Sequence, residues 1–311
     1  MIDYKKFSME YLEDTVKLWN EAIEYDRITV ERFKHQVIYD SNFDPELFQL
    51  AFDNDKILVG FIFAIRRKVP YLTRGLEPER GWIVQIAVKK DYRNKGIGKQ
   101  LLDIITNNFG NNGVKEITLS AYSPNYFTPG VDKRYIEGKN FFESNGYIHK
   151  NDAVSMSVDL FRHQINVEKL LDKQKEKGIY IKRFEDSYAL NLLNFAQKEF
   201  GGGWTRNILL ALESNNACDR IFIAVNKNDE IVGFVMRAID GNDSRFGPIG
   251  VDEHYRSNGL GGCLLEVLLD DLIKRGIYYS FFLWTSGDNI KFYKNHEFNT
   301  YREYLLMRKK L

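Results

Sequence analysis

The sequence predicts two tandem mixed α/β domains, each a twisted, mostly antiparallel sheet with flanking helices. Three observations lead there: a length of 311 residues, an internal repeat at a near-constant offset, and the same order of strand, helix and hairpin patterns in each half. At roughly 150 residues per domain, the length suits two domains. Hydrophobic residues make up 44% and aromatics 14% of the chain, with 18 Tyr and 22 Phe, which excludes a disordered polymer.

The repeat is read directly. Residues 86–98, IAVKKDYRNKGIG, recur as IGVDEHYRSNGLG at 249–261, and Leu101-Leu102 recur as Leu264-Leu265. Upstream, Leu58-Val59-Gly60-Phe61 is matched by Ile231-Val232-Gly233-Phe234; downstream, Phe141-Phe142 by Phe292-Tyr293. The offset changes only between blocks. That is the mark of duplicated domains whose loops differ in length, not of a solenoid.

Each copy opens on a short strand, Ile2 to Phe7 and Ile179 to Phe184. In the first copy Leu12, Val16, Trp19 and Ile23 then recur at helical spacing. A hairpin follows: Phe48 to Phe52, a turn at Asp53-Asn54-Asp55, and Ile57 to Ile65. Its counterpart runs Ile221 to Val225, Lys227-Asn228-Asp229, and Ile231 to Met236. Next come a strand (Trp82 to Val88; Phe246 to Val251), a Gly-containing loop, a helix (Lys99 to Asn108; Gly262 to Arg275) and a strand (Val114 to Tyr122; Tyr278 to Thr285). Asn166 to Gly178 is charge-rich, with Val167, Leu170 and Leu171 at helical spacing and Gly178 as a C-cap. These patterns divide the chain into domains 1–165 and 179–311, joined by a helical linker at 166–178.

Several functional classes drop out. Lys and Arg number 44 against 43 Asp and Glu, a balance with no global field for nucleic acid. The longest apolar stretch, Ile57 to Ile65, is too short for a span of about 20 residues. MIDYKKFSME lacks the apolar segment of a signal peptide. Cys218 and Cys263 form no C-x-x-C pair, and the five His residues no H-E-x-x-H motif. The expectation is a cytoplasmic protein with no nucleic acid or membrane partner and no structural metal.

Arg-x-x-Gly-x-Gly follows an apolar strand and opens a helix in both copies. Glycines permit a tight turn with successive amides aimed at one anion, and the helix start adds unpaired N–H groups and a positive dipole end. Such a loop suits a pyrophosphate. No Lys-Ser or Lys-Thr follows the last Gly, so a nucleotide-hydrolase phosphate loop is not indicated. The preceding antiparallel hairpin also fits a dinucleotide fold poorly.

In these motifs the sequence resembles the GNAT acetyltransferase superfamily. A strand ending in Val, then Tyr-Arg-x-x-Gly-x-Gly and Leu-Leu, is met by Val88 to Leu102 and by Val251 to Leu265, with Lys90 and Glu253 where Pro is common. The later motif, Asn-x-x-x-x-Tyr-x-x-x-Gly-Phe, is met by Asn289, Tyr293 and Phe298, although Glu297 replaces its Gly. The resemblance covers nearly the whole chain. It implies two GNAT folds, each with a splayed central strand pair, and acetyl-CoA as co-substrate. It also places the cofactor's pyrophosphate on Arg93, Asn94, Lys95, Gly96, Ile97 and Gly98, and on Arg256, Ser257, Asn258, Gly259, Leu260 and Gly261. Ile86, Val88, Ile249 and Val251 lie on the strands that would pair with the pantetheine arm. Pro248 fits a bulge or unpaired edge there, and an amide at or near Val251 would polarise the thioester carbonyl.

By the same resemblance Tyr293 is the proton donor for the departing thiolate and Asn289 holds the pantetheine. Phe142 and Gly138 stand at these positions in the first copy, so the second has the more complete set. The first copy carries a 12-residue insertion including Asn125 to Asp132, where Tyr126 or Tyr135 could replace the missing hydroxyl. Neither strand end supplies a carboxylate base, since Gln85 and Pro248 stand there. Trp204 reads as core or as acceptor-site lining, and Cys263 as buried packing. The expected function is N-acetylation of a small-molecule amine or a peptide by direct attack in a ternary complex. The alternative is a non-catalytic coenzyme A-binding sensor or scaffold. An aminoacyl transferase using charged tRNA is disfavoured by the near-zero net charge and the two intact loops.

Overall fold

The computed structural model describes residues 1–164 and 166–311. The first copy runs β1 (Asp3–Lys6), α1 (Leu12–Ala22), α2 (Val30–Phe33), β2 (Phe48–Phe52), β3 (Leu58–Ile65), β4 (Arg80–Val88), α3 (Ile97–Asn111), β5 (Glu116–Leu119), β6 (Val131–Asp132), α4 (Ile136–Ser144) and β7 (Ile148–Asp159). The remainder runs α5 (Val167–Glu176), β8 (Tyr180–Arg183), α6 (Ala189–Phe200), α7 (Gly202–Glu213), α8 (Ala217–Arg220), β9 (Ile221–Val225), β10 (Ile231–Arg237), β11 (Phe246–Val251), α9 (Leu260–Lys274), β12 (Tyr279–Thr285), α10 (Asn289–Lys294) and β13 (Asn299–Lys310).

Two compact units result, and they do not follow the division expected from the repeat. One comprises Met1–Ala153 with Tyr304–Leu311, the other Val154–Glu303. Residues 166–178 fall wholly inside the second unit, and Ile165, the last residue of the expected first domain, lies outside the described residues. The difference has a backbone cause. The end of β13 hydrogen-bonds β5, with Arg308 opposite Thr118, and lies opposite β6, with Tyr304 facing Asp132. The second half of β7 pairs with β12, Asp159 facing Tyr279. The second part of each copy's last strand thus belongs to the other unit.

In the first unit β1, β2, β3 and β4 are antiparallel neighbours, and β4 meets β5 in parallel. β2 and β3 are buried at every residue. Both sheet faces are covered, which is why these strands read as continuous apolar runs and not as alternation. One face packs Trp19, Phe33, Phe48 and Phe61 under α1 and α2; the other packs Leu101, Ile105, Ile117 and Met307 under α3. In the second unit β8, β9, β10 and β11 form an antiparallel sheet. α6 and α7 close one face through Leu192, Ala196 and Ile208, and α9 the other through Cys263, Leu264 and Leu268. Cys263 is therefore core.

Candidate functional site

The two glycine loops have the same backbone. Lys89 and Asp252 leave their strands at φ −50° and ψ 138° and 139°, and Arg93 and Arg256 are extended at φ −67° and −68°. Asn94 and Ser257 take φ +60° and +64°, and Gly96 and Gly259 take φ +80° and +77° just ahead of α3 and α9. This left-handed step is where glycine is required. Gly98 and Gly261 are already helical, and a Cβ there would make ordinary contacts of 3.6 to 3.8 Å. The space above them suits an approaching ligand, and no backbone need explains it. The first amides of each helix, residues 97–99 and 260–262, have no protein acceptor among the described residues. They are the unpaired donors that an anion takes up.

The motif's own Tyr and Arg side chains hold these loops. The Arg93 Nε donates to the Val88 carbonyl at 3.2 Å, and the Arg256 Nε to the Val251 carbonyl at 3.1 Å. The motif tyrosines reach back to the hairpin turn: the Tyr92 hydroxyl donates to Asp53 at 2.5 Å, and the Tyr255 hydroxyl accepts from Asn226 at 3.3 Å. Arg93 also pairs with Glu137 at 2.8 Å. Much of each arginine is thus spent on shaping the loop.

The central strands part next to the loops. β4 and β5 pair from Arg80 opposite Glu116 to Ile83 opposite Leu119, and the Ser120 amide makes the last bond, to the Ile83 carbonyl at 2.8 Å. Ser120 and Ala121 then turn away at φ +54° each, while β4 continues to Val88. A bulge at Val84, where β3 pairing slips between Ile83 and Gln85, marks the point of departure. In the second unit a single bridge, Arg245 just before β11 opposite Phe281 of β12, marks the parting, and the bulge of β11 lies between Phe246 and Ile249. Pro248 sits in that bulge.

In the first unit the gap opens into a cleft of about 1000 Å³. It is lined by Arg93, Asn94, Gly96, Gly98 and Lys99 of the loop and α3, by Ile86 and Val88 of β4, and by Glu24, Tyr25, Asp26, Asp132, Arg134 and Tyr135. The cleft therefore brings together most of the expected first-copy residues. The Tyr25 amide donates to the Tyr135 hydroxyl at 2.9 Å, which in turn donates to Asp26 at 3.4 Å. The Arg134 guanidinium lies 3.7 Å from the Tyr25 ring centroid and chelates Asp132 at 2.9 and 2.6 Å. Of the two substitute hydroxyls, Tyr135 lines the cleft and Tyr126 is not among its lining residues. Gly138, Asn140 and Phe142 also face it. Tyr25, Asp26 and Arg134 belong to no motif, and sequence reasoning passed over them; Asp132 it placed only within the insertion. Asp26 places a carboxylate in a cleft for which β4 itself offers Gln85.

In the second unit the Tyr293 ring stands 4.4 Å from Phe282 and 5.9 Å from Phe246, on the strands that flank the gap. Burial raises its pKa well above the ordinary tyrosine value, so it stays protonated. Its hydroxyl has no hydrogen-bond partner among the described residues. Asn289, the first residue of α10, is exposed. The Trp204 and Phe200 rings stack at 4.5 Å and close over Gly250, where a Cβ would sit 2.5 Å from Phe200. The first copy has Ala87 at that position, on the cleft wall. Among the described residues no group of three or more His, Cys, Asp or Glu side chains is placed to hold a metal, and no helix is long and apolar enough to cross a membrane.

The acetyltransferase (GNAT) family pattern matches residues 10–128 and 189–298. The chain belongs to this family. Solved GNAT structures show the same fold over the whole chain at low identity. A glucosamine N-acetyltransferase region of a fungal multi-domain GH3 β-N-acetylglucosaminidase superposes with a TM-score of 0.82 at 18% identity, covering 99% of this chain and 38% of that one. A GCN5-related N-acetyltransferase from Sphaerobacter thermophilus gives 0.74 at 13% identity, covering 99% and 95%. A tandem GNAT protein from the clavulanic acid biosynthesis pathway gives 0.66 at 13%, covering 100% and 98%. The chain thus spans 38% of the first of these proteins and nearly all of the other two. No curated protein matches it in sequence.

Proposed function

We propose that the chain is an acetyl-CoA-dependent N-acetyltransferase and that the cleft of the first unit carries the reaction. The observation behind this is the continuity of that cleft, from unpaired helix amides through a splayed strand to a carboxylate and hydroxyl. Acetyl-CoA fits it: the amides of residues 97–99 suit the pyrophosphate, the room over Gly98 lets it approach, and β4 beyond Ile83 offers a backbone edge to the arm. When bound, acetyl-CoA supplies an activated thioester. Asp26 takes the proton of an acceptor ammonium entering beside Tyr25. The freed amine forms the N–C bond as the C–S bond breaks. Tyr135 stands in for the missing donor at Phe142 and returns a proton to the thiolate. The acceptor is a small-molecule amine or a peptide N-terminus.

A second reading puts the chemistry in the second unit, and the protonated Tyr293 at the strand gap favours it. Thiol release measured across amine and peptide acceptors, with glucosamine included because a fungal relative is named for it, tests both. Gly98→Val should abolish turnover if the first cleft is active, and Gly261→Val or Tyr293→Phe if the second is. Coenzyme A binding without thiol release from any acceptor would leave the non-catalytic sensor.

A further inference from the structure

The two glycine loops share one backbone but not one environment. In the second unit the Asn258 carbonyl accepts from two side chains of the segment at α5: the Lys177 Nζ at 2.7 Å and the Gln174 Nε2 at 3.3 Å. Gln174 is buried at 4% exposure, and its Oε1 has no partner among the described residues. Leaving a buried acceptor unpaired costs free energy, so this orientation is held at some expense to keep the amide NH₂ on the loop. Gly178, at φ +75°, closes the turn after Lys177. Lys177 is exposed and has no ion pair among the described residues, so its charge is not neutralised locally. In the first unit the equivalent carbonyl, that of Lys95, has no such partner among the described residues.

The Asn258 carbonyl and the Gly259 N–H belong to one peptide group. Donation to its oxygen, above all from an ammonium, polarises the group and makes its N–H a stronger donor. That N–H opens the helix start at Leu260, where an anion would sit. On the reading that both loops receive the coenzyme A pyrophosphate, we infer that the second loop is the tighter of the two sites, with Lys177 and Gln174 as the positioning residues that make it so. The segment at α5 thereby acts as part of a ligand site.

Calorimetric titration of the full chain with coenzyme A tests this. Two sites should appear, with affinities about tenfold apart, the scale of one charge-assisted hydrogen bond. Gly261→Val should remove the tighter one and Gly98→Val the weaker. Lys177→Met should weaken the tight site by about five- to tenfold and flatten its salt dependence, leaving the weak site and the melting temperature unchanged, while Lys177→Arg keeps the tight site. Loss of the tighter site in Gly98→Val, or unchanged affinities in Lys177→Met, overturns the inference while the loops stand as coenzyme A sites. If neither glycine variant removes a site, the loops do not bind coenzyme A, and both readings fall.

Discussion

Asp26 and Tyr135 come from distant parts of the first copy and meet through one hydroxyl. In Asp26→Asn the amine loses its proton acceptor, and turnover should fall about 10²- to 10⁴-fold. Coenzyme A affinity, set by the glycine loop, should not change. Single-turnover kinetics beside equilibrium binding checks this; parental turnover would remove Asp26 from the mechanism. A second residue-scale prediction concerns the second unit, where His163 donates between Glu297 at 2.6 Å and Glu266 at 3.0 Å, and His296 contacts Glu266 at 2.5 Å. Burial works to lower the His163 pKa, but its bonds to Glu297 and Glu266 outweigh this and raise it. Burial works to raise the Glu266 pKa, but the two imidazoles outweigh this and lower it. The raised His163 stabilises fully below its unfolded value of 6.5, and that contribution fades as pH rises through the folded pKa. The lowered Glu266 stabilises above 4.5, and its contribution is lost as pH falls through the folded pKa. His163→Ala should therefore cost about 1–3 kcal/mol near pH 5.5 and clearly less near pH 9. Equal losses at both, by denaturant unfolding, would mean that the imidazolium contributes nothing.

At the scale of elements, the glycine loops were the most legible feature. Strand, tyrosine anchor, left-handed glycine and helix start follow one another along fewer than twenty residues, so local sequence suffices to specify them. Gly98→Val tests the loop as a ligand site. The helical φ and the ordinary Cβ contacts predict little loss of stability, while the added methyls would cover amides that an anion needs. Coenzyme A affinity at the first loop should drop at least tenfold with the melting temperature nearly constant; a large fall in melting temperature would mean that the glycine serves packing instead. The departure of the second copy at Glu297 also has an account. Glu297 keeps the left-handed backbone of its counterpart Gly146, at φ +64° and +84°, and its carboxylate holds His163. A partner far along the chain offsets the strain that sequence alone would flag.

For the whole molecule, the end of each copy contributes to the stability of the other unit. Met307 is fully buried among Ile117, Leu119 and Leu305, in the core of the first unit. Met307→Ala should destabilise that unit by about 2–5 kcal/mol. Hydrogen exchange of β4 and β5 amides should rise accordingly, with those of β9 and β10 little changed. Protection lost only around residue 307 would mean that β13 is a peripheral strand. A fragment from Gly178 to Leu311 would lack the half of β7 that pairs with β12, so it should be poorly soluble or poorly active.

By itself the sequence determined the duplication, the order of elements, both glycine loops and the family, because each is written in short-range periodicity or contiguous motif. Tertiary structure decided what lines the cleft of the first copy, since Tyr25, Asp26, Asp132, Arg134 and Tyr135 converge there from segments about a hundred residues apart. It also decided where the units divide. Strand partners are chosen by backbone hydrogen bonding and burial across the folded chain, and a repeat offset records ancestry without recording which sheet receives the last strand.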